Sequence, residues 1–233
     1  MRRRSIPTLT FAAALLAAAT LAVGAGRLPA DLERRGWEEI TFDGKTPNHY
    51  ASCGADCVEI ATMQSVSMIG REVSVDLKAM PILHWEWKVE RPVAATDLTT
   101  KGQDDRAVAL YVTFPYDPDT SSFAENLMRP MVELARGADA PGRVISYVWG
   151  GFGEPGQVVE SPFFGSANAM IVGRNASAEP GVWLAERVDV AADHERIFGH
   201  PPVRAAHILL SADSDDTKSD NRAFVRRIMF GAR

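Results

Sequence analysis

Apolar and polar positions alternate with period two along most of the chain. In Leu83-His84-Trp85-Glu86-Trp87-Lys88-Val89, the odd positions are apolar and the even ones polar. That spacing predicts a half-buried strand. Similar stretches predict further strands at Gly36 to Phe42, His49 to Ser52, Val58 to Met63, Met68 to Met80, Val108 to Phe114, Arg143 to Trp149, Asn168 to Gly173, Val182 to Val188, Val203 to Ala212 and Arg222 to Phe230. Turn signals such as Asp43-Gly44-Lys45 and Asp117-Pro118 punctuate them. Helical spacing is rarer. Ser122 to Glu125 has the form of a capping box, and Phe123, Leu127, Met131 and Leu134 then recur along one helix face. The expectation is a helix laid against a sheet edge, kinked or split at Pro130 and stopped at Gly137. Ala191 to Phe198 is a second short helix, ended by Gly199. Many short strands with few helices predict a mainly β protein: an antiparallel β-sandwich or jelly roll with one or two short peripheral helices. The missing βαβ alternation argues against an open parallel sheet.

The N-terminus changes the compartment. Arg2-Arg3-Arg4, the apolar run Thr10 to Ala22 and the small residues Val23-Gly24-Ala25 have the form of a signal peptide over 1–25. Residues 26–233 are then one β-sandwich domain, periplasmic or secreted, with no stable membrane anchor after cleavage, and expected to be a monomer. Cleavage leaves 22 basic against 30 acidic residues, a net charge of −8. Such an acidic chain is a poor nucleic-acid binder. In an oxidising compartment Cys53 and Cys57, the only cysteines, are expected to close a small loop as a disulfide. So short a ring pins a turn rather than holding the fold.

Several of these pieces occur in a particular order. Trp85-Glu86-Trp87 is followed by Lys101-Gly102-Gln103-Asp104-Asp105, then Tyr147-Val148-Trp149, Trp183 to Arg187, and Asp213-Ser214-Asp215-Asp216-Thr217. This order resembles the bacterial exported proteins grouped as domain of unknown function 3047, over roughly Trp37 to Phe230. The resemblance implies a β-sandwich similar to carbohydrate-binding jelly rolls and brings no established activity. The chain departs from the pattern in its cysteine loop and in Asp216, where Asn is expected.

Candidate ligand-binding residues are Trp85, Trp87, Lys101, Asp104, Asp105, Arg106, Tyr147, Trp149, Glu186, Arg187, Asp213 and Asp215. Indole faces suit the C–H side of a sugar ring, although inward-facing indoles in a core are the commoner arrangement. Asp104 and Asp105 can accept hydroxyls, hold a cation, or simply accept backbone N–H groups and pair with Arg106 or Lys101. Glu186 and Arg187 are read as an ion pair, and Trp37 and Trp183 as packing residues. Asp213, Asp215 and Thr217 resemble the opening ligands of a calcium loop. Lys218 and Phe224 stand where such a loop needs Gly and Glu, so an EF-hand is excluded and only a looser calcium site remains. The five histidines show no zinc spacing, and no Gly-x-Ser-x-Gly elbow is present.

No catalytic residue, cofactor or metal ligand is assigned on this reading. The expected function is a non-enzymatic envelope module binding a glycan or another small ligand. The alternatives are a glycan-active hydrolase using an Asp pair, and a scaffold or partner-binding protein. The hydrolase reading requires two of Asp104, Asp105, Asp213 and Asp215 to converge within about 5–10 Å in an open cleft.

Overall fold

The computed structural model describes residues 28–233 apart from 122, 138, 139 and 164. The expected signal segment and Ser122 of the capping box lie outside the described residues. The elements in chain order are α1 (Ala30–Arg34), β1 (Glu38–Ile40), β2 (His49–Gly54), β3 (Cys57–Met63), β4 (Val66–Asp76), β5 (Ile82–Arg91) and β6 (Arg106–Phe114). There follow α2 (Phe123–Arg136), β7 (Arg143–Trp149), β8 (Val158–Ser161), β9 (Gly165–Arg174), β10 (Leu184–Asp189), α3 (Val190–Phe198), β11 (Arg204–Asp213) and β12 (Asp220–Gly231).

The strands form two sheets, one of seven in the order β1-β4-β11-β6-β7-β9-β8 and one of five in the order β10-β5-β12-β3-β2. Pairing is antiparallel except between β7 and β9, which run parallel with Val144 opposite Asn168. The antiparallel expectation is corrected at that one pair, where β8 sits on the far edge and leaves β9 to run back beside β7.

Alternation explains the core. Leu83, Trp85, Trp87 and Val89 of β5 all point between the sheets, and meet Val108, Leu110, Val112, Ile145, Tyr147 and Trp149 from the other layer. The rings interlock edge to face, with Trp85 5.2 Å from Trp87 and Trp87 5.6 Å from Trp149. Gly173 makes room for them: a Cβ there would stand 2.9 Å from Cζ2 of Trp87. β6 is buried on both faces. Its outward Ala109 and Tyr111 join Val148, Met170 and Val172 in a second apolar cluster. The loop before β6 covers that cluster by laying Leu98 on it.

Three local expectations are corrected. β4 ends at Asp76, because its side chain and carbonyl turn the chain by accepting the amides of Lys78 and Met80. α2 is not split at Pro130 but runs through it as one helix. Its apolar stripe is not laid on a sheet: Phe123, Leu127 and Met131 are exposed. Arg129 anchors the helix instead, buried between the carbonyl of Ala140 and the ring of Tyr116. Cys53 and Cys57 form the disulfide at the β2–β3 turn. Arg35 caps the same turn by donating to the carbonyls of Gly54, Ala55 and Cys57.

Candidate functional site

The two Asp-rich stretches meet. Asp213 ends β11 directly opposite Arg106, which begins β6. That register brings the loop before β6 against the loop after β11. Carboxylate oxygens of Asp105, Asp213 and Asp215 come to lie within 4.8 Å of one another. All three residues are buried, at 0%, 8% and 8% exposure. Asp105 is tied down by the second loop. Its Oδ2 accepts the amide and the hydroxyl of Thr217 at 2.7 and 2.5 Å, and its Oδ1 the amide of Asp216 at 3.3 Å. Asp104 pairs with Arg106 at 3.1 Å, and the same guanidinium stands 3.7 Å from Asp213 and 2.9 Å from the Tyr111 hydroxyl. Lys45, from the turn after β1, reaches in to Asp215. Lys218 donates to the carbonyl of Asp215.

The electrostatics of this nest are unbalanced. Burial pushes the Asp213 carboxyl well above the usual carboxylate range; Arg106 pulls it down, while Asp105 and Asp215 push it further up. Burial and the charges of Asp215 and Asp105 also raise Asp216. Lys45 is shifted up, chiefly by its bond to Asp215. Oδ1 of Asp213 is buried with no hydrogen-bond partner.

The carboxylates converge as the hydrolase reading required, but not in an open cleft. The oxygens of Asp105, Asp213 and Asp215 face one another within 4.8 Å, on residues at most 8% exposed. The structural alternative for Asp104 and Asp105, backbone acceptance and pairing with Arg106, is the arrangement observed.

The aromatic expectation is corrected. Trp85, Trp87, Tyr147 and Trp149 are at most 2% exposed, because period two turns all of them between the sheets. No ring among them offers a face to a ligand in solvent. Trp183, read as packing, is half-buried on the outer face of the five-stranded sheet. Its ring stands 6.3 Å from that of Phe224 and 3.9 Å beneath the guanidinium of Arg226. The sequence signal was available: Lys88, Phe224 and Arg226 occupy the polar phase of their strands, and Trp183 lies just ahead of β10.

Around this pair, Lys88, Arg187, Arg222, Arg226 and Arg227 share the face with Glu59, Glu86 and Glu90. Arg226 and Arg227 both bond Glu86, while Arg222 bonds Glu59 and Glu90. The face therefore carries more positive than negative charge on an acidic chain.

Glu186 and Arg187 do not pair. Neighbours on a strand point to opposite faces, so Glu186 turns inward to Trp87 Nε1 and Arg174 while Arg187 stays exposed. Lys101 lies away from the nest, 5.4 Å over the ring of Phe163. Two pockets, of about 220 and 370 Å³, are lined by Phe114, Arg143, His194 and His200 and by Val158, Asn168 and Arg196 respectively. Neither touches the acid nest or the tryptophans.

Two stacked sheets with acidic loops gathered at one junction define the chain as a β-sandwich of the jelly-roll type. The chain belongs to the family described as "Protein of unknown function (DUF3047)", whose model matches residues 35–229. No curated protein sequence matches it. Among solved structures it is similar to the xyloglucanase domain of a type three effector from Sinorhizobium fredii in complex with cellobiose, at 8% identity and TM-score 0.47, covering 86% of this chain and 95% of that one. It is also similar to an endoglucanase from Rhodothermus marinus, at 9% identity and TM-score 0.46, covering 89% and 97%. A carbohydrate-binding module specific for non-crystalline cellulose aligns at 14% identity and TM-score 0.35, covering 89% and 96%.

Proposed function

We propose that this is an exported, non-enzymatic glycan-binding module whose contact surface is the outer face of the five-stranded sheet. One observation carries the reading: half-buried Trp183 lies on the outer face of that sheet beneath Lys88 and Arg226, beside a Phe224 ring that Lys88 and Arg222 cover and that is itself only 7% exposed. Guanidinium groups give paired, planar hydrogen bonds to carboxylates, and an indole edge adds an apolar contact for sugar C–H groups. The surplus of arginine favours a saccharide carrying acidic groups. Burial of the acid nest, whose carboxylates sit on residues at most 8% exposed, supports a non-enzymatic role.

Isothermal titration with neutral cello-oligosaccharides and with acidic oligogalacturonates tests this. Binding of the acidic series is expected, weakened at least about tenfold by Arg226→Ala and weakened by salt. Absence of any heat with either series overturns the proposal. In that case a scaffold or partner-binding role takes over, supported by the exposed Phe123, Leu127 and Met131 stripe of α2.

A further inference from the structure

We propose that Asp105, Asp213 and Asp215 form a binding site for one calcium ion, which clasps the loop before β6 to the loop after β11. Two independent observations point there. The first is convergence: three carboxylates from two distant loops present oxygens within 4.8 Å of one another in the interior. The second is the Oδ1 of Asp213, an oxygen on a residue 8% exposed to which no N–H or O–H group donates, and whose carboxyl faces that of Asp215. A buried carboxylate oxygen without a donor is costly, and such groups are found paired or coordinating a metal.

The ligand set contains only oxygen, which selects a hard cation over zinc or copper. Calcium fits better than magnesium, because it tolerates irregular geometry and uneven oxygen distances. Lys45 engages only Oδ2 of Asp215, and its half-exposed side chain can swing away when the ion arrives. The Asp213-x-Asp215 spacing places both carboxylates on one side of the chain where β11 ends, facing Asp105.

The test uses the full chain stripped with chelator, calcium chloride as the only ligand, and two readouts. Calorimetric titration is expected to show one site. At calcium a hundredfold above its Kd, the thermal midpoint should rise by about 5–10 °C. Magnesium should bind more weakly. Asp213→Asn is expected to fold, since it keeps the shape of the side chain, yet to lose both the heat and the midpoint shift. Lys45→Met removes the competing cation and should tighten binding. The proposal is overturned if millimolar calcium gives neither heat nor shift. It is equally overturned if Asp213→Asn binds calcium as the natural chain does, or stabilises the chelated protein while calcium has no effect, which would mark the nest as a proton-sharing pair.

Discussion

Thr217 donates both its amide and its hydroxyl to one oxygen of Asp105, across 112 positions of sequence. This pair ties the loop that enters β6 to the loop that leaves β11, at the junction that the β11–β6 register brings together.

Asp105→Asn should therefore loosen a specific junction. The amide keeps the shape but turns an NH₂ toward donors that expect an acceptor. A loss of about 2–4 kcal/mol in urea denaturation is expected, with faster amide exchange at Asp216 and Thr217. Unchanged exchange at those two amides would contradict the assigned role.

Trp85→Ala and Trp183→Ala should behave in opposite ways. Trp85 fills the sandwich interior, and its removal should cost about 3–5 kcal/mol. Trp183 lies on the outer face, so its loss should cost about 1 kcal/mol or less while removing the saccharide heat. A stable Trp85→Ala variant, or a Trp183→Ala variant that still binds sugar, would reverse the assignment.

Stability should fall on mild acidification through His194. Burial pushes its pKa from 6.5 down to about 4, so the folded ring stays neutral where the unfolded ring takes a proton. Between pH 6.5 and about 4 the unfolded state is thus favoured by each step down, at up to about 1.4 kcal/mol per pH unit. Below about 4 this contribution is exhausted. Denaturation series at pH 7.0, 5.5 and 4.5 should show the decline, and His194→Gln should flatten it.

Replacing both Cys53 and Cys57 by serine should lower stability by only about 2 kcal/mol, as expected for so short a ring. Arg35 still holds the turn through three carbonyls. Collapse of the fold on reduction would show that the hairpin carries more than this.

Period-two spacing revealed most of the architecture. Leu83 to Val89 and Arg143 to Trp149 lie in strands as expected, since both alternate cleanly. β8 was not legible: four residues after a glycine-rich loop are too short for a pattern. The apolar spacing of α2 located the helix and misassigned its buried side, because its anchor is Arg129, a polar residue that no hydrophobic count weighs. For the site, the residue types in the acidic stretches were visible, but their meeting was not. It depends on the pairing of β11 with β6, a contact between positions about a hundred apart. The choice of aromatics went wrong for a simpler reason: a tryptophan on the apolar phase of a strand belongs to the interior, and the one with access to solvent, Trp183, stands just ahead of β10 rather than inside the strand expected from Val182 to Val188.

Gly151 has a reach beyond its own turn. A Cβ there would stand 2.4 Å from Cγ of Leu98, and its φ of +70° already disfavours any side chain. Leu98 is the apolar peg of the same loop that ends in Asp104 and Asp105, and Thr96 of that loop grips the Asp105 carbonyl at 2.6 Å. The carboxylates thus inherit their position from a greasy contact on the far face of the sheet. A single methyl group added at position 151 would be felt as a change in electrostatics several residues away, with no charge altered.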